Sequence, residues 1–328
     1  VSPSFFVKRT VKKAVRFDFC VKKAVSDHPP VGSLLFQRKF AERIDCCRSA
    51  CYNDQSGIPK DGAFAAWDSE IVRCSMETKA VRLYGERDLR LETFELPSVG
   101  DGEVLIKIIS DSVCMSTYKT AMQGAKHLRV PDDVAEHPTI IGHEFCAEIV
   151  DVGERWKKEY AVGDKVICPP VLSYLGGHKT IGYSFGEIGG VSTYSVVYDH
   201  IVENGYLMKL ESDCFFKGSL IEPASCVIRG YKGSMHLDAD GVPYTNIKPG
   251  GKVAILAGCG PMGLVAIDLA LHGTVKPSVV VVTDLDEARL ARAKEIFTAC
   301  YPEYTFNGFI AGRRGTSQVD EISALNRK

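Results

Sequence analysis

No stretch of the chain comes near the roughly 18 uninterrupted apolar residues that a membrane-spanning helix needs, so a helical span is not expected. Neither sign of charge is in excess. The 40 Lys plus Arg face 41 Asp plus Glu, a net of −1, whereas a protein built wholly to bind nucleic acid carries a basic surplus. Internal repeats and low-complexity tracts are missing, and no apolar core followed by a small-residue cleavage site marks a secretory signal. Paired CxxC spacings are missing too, although there are 12 cysteines. Secreted disulfide domains are short and cysteine-dense; cysteines scattered over 328 residues are expected as reduced thiols of a cytoplasmic protein, one or two of them free to bind metal.

What is present suits a soluble globular protein of more than one domain: 45% hydrophobic and 25% charged residues. Val1–Ser75 stands apart. It holds 13 basic and 8 acidic residues, a basic run over Lys8–Lys23, and no sustained helical or strand period. It is expected to be a leader, non-native or disordered, with Met76 as the natural start. A transit peptide, a metal-binding module around Cys46, Cys47 and Cys51, and a basic nucleic-acid-binding arm are the alternatives.

From Met76 to about Tyr206, alternating apolar runs punctuated by Gly and Pro predict a small β-barrel, with strands over Glu103–Ser110, Phe145–Val152 and Lys165–Cys168. Ser212–Met235 reads as one helix, capped by Ser212 or Asp213. After Lys248-Pro249-Gly250-Gly251 the pattern changes to strand Lys252–Ala257, helix Pro261–His272, strand Ser278–Thr283 and helix Asp286–Phe297. That βαβα alternation predicts a parallel sheet.

Two constellations carry chemistry. Gly258-Cys259-Gly260-Pro261-Met262-Gly263 is a GxGxxG run between a strand and a helix. Its glycines allow a tight turn and a close approach of backbone to a pyrophosphate, which the helix N-terminus attracts. Asp284 ends the next apolar strand, where a carboxylate accepts hydrogen bonds from a ribose and repels a 2′-phosphate, favouring NAD over NADP. The bland alternative is a glycine turn with a surface aspartate. Cys114 follows an apolar strand, Gly142-His143-Glu144 precedes another, and Glu222 opens a helix in Ile-Glu-Pro. A thiolate, an imidazole and a carboxylate make an open three-ligand zinc site. Singly, each is ordinary: a buried thiol, a structural histidine, a surface acid.

Taken in order, Cys114, Gly-His143-Glu144, Glu222-Pro and the late Gly258-x-Gly260-x-x-Gly263 resemble the zinc-containing medium-chain alcohol and polyol dehydrogenases. Over roughly Thr78–Lys294 the chain looks like the sorbitol-dehydrogenase branch. Gly218–Cys226 and Asn246–Gly273 are most similar to L-sorbose-1-phosphate reductase-type proteins.

The resemblance implies an α/β fold: a GroES-like β-barrel catalytic domain over 76–225, then a Rossmann doubly wound parallel sheet over 226–328. Cys114 and His143 would ligate one catalytic zinc, and either Glu144 or Glu222 would complete the shell, the other binding through water. Ser116 would start a proton relay whose outer end is Lys119. The implied activity is hydride transfer between NAD(H) and an alcohol, polyol or ketose. The substrate is a small molecule, with no nucleic acid and no membrane as partner and oligomeric state open.

Three departures stand out. Ala147 occupies a glycine position of the GHExxG pattern. The cysteine quartet of a structural zinc lobe is absent from Pro169–Ile188, so no structural zinc is expected. The 78 residues from Gly251 to Lys328 leave room for about three strands where a dinucleotide fold has about six. A C-terminally truncated, inactive member of the family and a zinc-free quinone reductase are therefore the alternatives. A phosphorylated substrate would call for a cation near the metal, and Arg229 and Lys232, downstream of Glu222, are the sequence candidates.

Overall fold

The computed structural model describes residues 76–310, apart from 177, 213, 238–239, 242, 246, 248, 274 and 303–306. The expected leader Val1–Ser75 lies outside the described residues.

Strand β1 (Met76–Gly85) pairs antiparallel with β2 (Asp88–Leu96) across a tight turn in which Arg87 takes a φ of 59°. Thr78 and Ala80 of β1 are buried while Glu77 and Lys79 are exposed, the period-2 alternation of a half-buried strand. A second sheet is built around β3 (Val104–Asp111). β7 (Tyr194–Val197) lies on one side of it. On the other lie β5 (Phe145–Val152), β6 (Lys165–Ile167) and β8 (Met208–Lys209), every pairing antiparallel. β4 (Thr139–Ile140) joins the free edge of β1, and an Ala80–Ser192 bridge ties the first sheet to the chain entering β7.

The five-stranded sheet carries a core that includes Val104, Ile106, Phe145, Ala147, Ile149, Val166, Ile181 and Ile188. Each such Val, Ile or Phe side chain contributes roughly 1.5–3 kcal/mol through burial. Ala147 fits this core without strain: it sits in β5 opposite Ile108 and Val166, is fully buried and is not among the residues with positive φ. The methyl in place of hydrogen simply fills core volume.

The stretch expected as one helix over Ser212–Met235 is two, and Met235 begins a strand. Helix α1 (Met115–Gln123) and helix α2 (Asp199–Glu203) come earlier in the chain; here α3 (Phe215–Ser219) is followed by α4 (Ile221–Gly233). Pro223 is the physical reason. It has no N–H to give the Ser219 carbonyl, and its ring crowds that carbonyl in a continuous helix. Ser112 Oγ donates to the Ser219 carbonyl instead, at 3.2 Å. No side chain caps α3; Ser212 Oγ accepts from the Cys214 N–H at 3.2 Å, and Asp213 lies outside the described residues. Gly218 lets α3 lie on β5, because a Cβ there would be 2.4 Å from Cys146 Sγ.

Helix α4 runs through position 225/226 and leads by a hairpin, β9 (Met235–Leu237) and β10 (Pro243–Thr245), into the βαβ region. There β11 (Lys252–Ile255), helix α5 (Pro261–His272), β12 (Val279–Asp284), helix α6 (Glu287–Cys300) and β13 (Asn307–Ile310) alternate. The strands pair parallel in the order β11-β12-β13, as the alternation predicts. Tyr231 of α4 donates to the Ala266 carbonyl of α5 at 2.9 Å, joining the two regions.

Asp286 caps α6, accepting from the N–H groups of Ala288 at 2.8 Å and Arg289 at 3.2 Å. An Asp286→Ala substitution is expected to lower stability by about 1 kcal/mol, read as a lower midpoint in urea unfolding; an unchanged midpoint would show that the cap contributes nothing.

Six cysteines in the described residues, Cys114, Cys146, Cys168, Cys214, Cys226 and Cys259, are free. No described helix is long and apolar enough to cross a membrane.

Candidate functional site

Two chain crossings bring the first constellation together. Where β3 ends, the chain turns and Cys114 becomes the N-cap residue of α1, with extended φ and ψ and no side-chain cap of its own. Beside it, Gly142-His143-Glu144 leads directly into β5. Gly142 has a φ of 93°, and a Cβ there would lie 2.5 Å from Asp111 Oδ2 and 2.7 Å from the Val191 nitrogen. Only glycine can make that turn so close to Asp111. Gly182 is fitted equally tightly, since its Cβ would sit 2.2 Å from the Gly142 carbonyl oxygen.

The Cys114 thiol, a ring nitrogen of His143 and a Glu144 carboxylate oxygen all lie within 4.8 Å of one another. His143 and Glu144 are buried. Burial holds the imidazole below its ordinary pKa, with Arg129 adding to the effect and Glu144 opposing it, so the neutral, ligating form is favoured. His143 Nδ1 lies 3.4 Å from Thr117 Oγ1 and Nε2 lies 3.3 Å from Ser116 Oγ. Glu144 accepts a short hydrogen bond from Ser112 Oγ, and its N–H donates to Asp111 Oδ1 at 3.1 Å. Burial, with the Glu144 charge, raises the Asp111 carboxyl to about 7 against the backbone donors of Glu144 and Ser112.

Glu222, on the first turn of α4, stands next to this set but outside its tight spacing. Burial raises its carboxyl to about 7, with Glu144 adding to the rise, and Cys226, one turn along α4, donates its S–H to Glu222 Oε1 at 3.4 Å. The Cys114 thiol is likewise pushed up by burial and by Glu144, while Ser116 opposes the shift. Acidic groups forced together in a buried place are costly unless a cation joins them. One thiolate, one imidazole and carboxylates form the donor set that suits Zn²⁺ over Mg²⁺ or Ca²⁺; these residues fit zinc.

Ser116 donates to Cys114 Sγ at 2.9 Å and accepts from the Tyr183 hydroxyl at 2.8 Å. Its side-chain contacts are Cys114, His143 and Tyr183. Lys119, exposed on α1, acts instead on His127. Sequence reasoning missed Tyr183, which is 2% exposed and whose ring centroid lies 5.0 Å from that of His143. Its segment, Thr180–Ser184, has no periodicity to flag it. Arg229 and Lys232 are exposed on α4.

In the second constellation the glycines divide their work. A Cβ at Gly263 would lie 2.3 Å from the Gly258 carbonyl oxygen, and one at Gly258 would lie 2.8 Å from Ile255 and Val282. Both are needed to press α5 onto the sheet. At Gly260 a Cβ would meet nothing within 4 Å, which leaves backbone open to a ligand. Pro261 opens α5, Met262 is half-exposed beside it, and no side chain caps the helix, so its first N–H groups keep their attraction for an anion. Asp284 accepts N–H groups from Cys259 and Asp286, both at 3.1 Å. Burial would raise its carboxyl, but the backbone donors of Asp286, Cys259 and Leu285 hold it below the ordinary value. Each of its oxygens retains a lone pair for a ribose hydroxyl.

Residues 100–205 match the alcohol dehydrogenase GroES-like domain. The chain is 46% identical over 218 residues to an L-sorbose 1-phosphate reductase of Klebsiella pneumoniae, covering 66% of this chain and 53% of that protein. It is 42% identical over 221 residues to a mannitol-1-phosphate 5-dehydrogenase of Aliivibrio fischeri, covering 67% and 52%. It thus spans about half the length of the curated relatives it matches. Among solved structures, 2R,3R-butanediol dehydrogenase from Bacillus subtilis superposes with a TM-score of 0.56 at 26% identity, over 76% of this chain and 67% of that one. Residues 100–205 thus carry an alcohol dehydrogenase GroES-like domain, and the wider matched stretch is similar to alcohol, polyol and sugar-phosphate dehydrogenases.

Proposed function

We propose that this protein is a zinc-dependent oxidoreductase that transfers a hydride between a nicotinamide cofactor and an alcohol, polyol or ketose. The observation that carries the reading is the convergence of the Cys114 thiol, the His143 ring and the Glu144 carboxylate within 4.8 Å. Cys114 and His143 would hold the ion, with Glu144 or Glu222 as third donor, and 76–225 would be the catalytic domain. When bound, zinc supplies Lewis acidity toward a substrate oxygen. Residues of 226–328 would hold the nicotinamide cofactor, whose chemistry when bound is to give or take a hydride.

The remaining work falls to this chain's own groups. His143 is kept neutral by burial and oriented by Thr117 at 3.4 Å, a fixed tautomer being what ligation needs. Ser116 Oγ, which accepts from the Tyr183 hydroxyl at 2.8 Å, is held by that bond where it can hydrogen-bond a substrate hydroxyl. Lys119, the expected outer end of a proton relay, has no hydrogen bond to Ser116 among the described residues. At the other centre, Gly260 leaves room for a pyrophosphate and Asp284 would hold the adenosine ribose. Its negative charge opposes a 2′-phosphate, which selects NAD over NADP.

The test is turnover by zinc-loaded protein with L-sorbose or L-sorbose 1-phosphate as oxidant. NADH should be consumed at least about tenfold faster than NADPH, a difference of about 1.4 kcal/mol, and a zinc chelator should stop the reaction. NADH oxidation that continues undiminished after the metal is removed would reject the zinc reading.

A further inference from the structure

Next to the metal-binding side chains lies a group of cations that the reading above leaves unused. After α1 and the turn Gly124–Lys126, the chain lays His127 and Arg129 against Tyr183. The His127 ring stacks on the Tyr183 ring, centroids 5.5 Å apart and planes 20° apart. The Arg129 guanidinium lies over the same ring, its carbon 5.5 Å from the centroid.

The Arg129 backbone is fixed from both sides. Its N–H donates to His127 Nδ1 at 3.3 Å, and its carbonyl accepts from Ser184 Oγ at 2.6 Å. Tyr183 in turn reaches Ser116 with its hydroxyl and His143 with its ring. One aromatic ring therefore separates the guanidinium from the residues that would hold zinc. Arg129 makes its charge felt at His143, Glu222 and Tyr183, and both Arg129 and Lys119 act on His127.

Among the described residues, neither Arg129 nor Lys119 has a carboxylate within ion-pair distance. Two cations act on one imidazole while the acid that Arg129 feels, Glu222, stays beyond ion-pair distance, and a dianion would relieve the repulsion between them. A guanidinium matches the oxygens of a phosphate in a bidentate fork, and Lys119 can add a point charge.

We propose that Arg129, with Lys119 and His127 beside it, forms a subsite for the phosphate monoester of a phosphorylated polyol or ketose. The sugar then runs from this subsite, past Tyr183, toward Ser116 and His143. This assignment replaces Arg229 and Lys232, the candidates from sequence spacing, and it rests on the zinc-site reading of Cys114, His143 and Glu144.

The experiment is isothermal titration of the zinc-loaded full chain with L-sorbose 1-phosphate and with L-sorbose, in wild type, Arg129→Gln and Arg129→Lys, with bound zinc measured in each sample. Wild type should prefer the phosphorylated sugar, and Arg129→Gln should cut that preference about 10- to 100-fold. Arg129→Lys, which keeps the charge and loses the fork, should fall between them; it also carries the test if the glutamine variant fails to fold. Inorganic phosphate should compete with L-sorbose 1-phosphate in wild type and compete poorly in Arg129→Gln.

An undiminished preference in Arg129→Gln with zinc still bound would overturn the subsite and leave the metal reading standing. Loss of NADH affinity matching the loss of sugar-phosphate affinity would assign the cations to the cofactor and overturn it as well. Wild-type protein that takes up no zinc would instead overturn the reading on which the subsite rests.

Discussion

Replacing Gly142 with alanine is expected to cost about 2–5 kcal/mol of folding stability and to abolish metal binding. Two penalties combine. The residue holds a φ of 93°, which costs a side-chain-bearing residue about 1–2 kcal/mol. The new methyl would also meet Asp111 Oδ2 at 2.5 Å and the Val191 nitrogen at 2.7 Å, an overpacking of the kind that costs about 1–3 kcal/mol. Neither neighbour can yield cheaply. Asp111 is bonded to the Glu144 N–H, and Val191 N–H donates to the Ile141 carbonyl at 2.9 Å. Any relaxation therefore moves His143 and Glu144, the next two residues. Gly163→Ala is the control: its φ is 91° but a Cβ there meets nothing within 4 Å, so only the conformational penalty should appear. Urea unfolding of both variants measures the difference, and equal losses would mean that the crowding around Asp111 is unimportant.

Cys114→Ser should have the opposite profile: metal affinity falls by more than about 100-fold, since even the residues that support ligands are worth 10- to 100-fold, while the metal-free fold is unharmed. Cys114 occupies the N-cap of α1 without a side-chain cap, and serine is among the best residues there. The apo variant should be as stable as wild type or up to about 1 kcal/mol more so. Competition against a chromogenic chelator gives the affinity, and apo thermal melts give the stability. A variant that binds zinc as wild type does would remove Cys114 from the ligand set; one that loses metal only because it unfolds would make its role structural.

Regular elements were legible where local pattern and tertiary demand agree. The alternation of Phe145–Val152 ends where β5 ends, and Pro261 with Gly260 before it marks the start of α5 as observed. The site was legible to the extent that its residues sit beside such elements: Cys114 after β3, His143 and Glu144 before β5. The break between α3 and α4 was missed because Pro223 falls in a first turn that tolerates it, and its cost is felt four residues back at Ser219. Tyr183, Asp111 and Arg129 were missed for another reason. They lie in loops or at a strand end, and what they do depends on chain segments more than 25 residues away along the sequence, as with Tyr183 on Ser116 and Asp111 under Glu144. The concern over Ala147 came from a motif position; the local requirement turned out to be an extended residue with a small buried side chain.

The most direct test is a Co²⁺ titration of the metal-free chain followed by absorption spectroscopy. A single thiolate-to-cobalt charge-transfer band should grow to a plateau at one ion per chain, with the d–d intensity of a low-coordinate site, and should vanish in Cys114→Ser. A wild-type chain that gives no such band, or one whose band survives intact in Cys114→Ser, would contradict the assignment of Cys114, His143 and Glu144 as the metal centre.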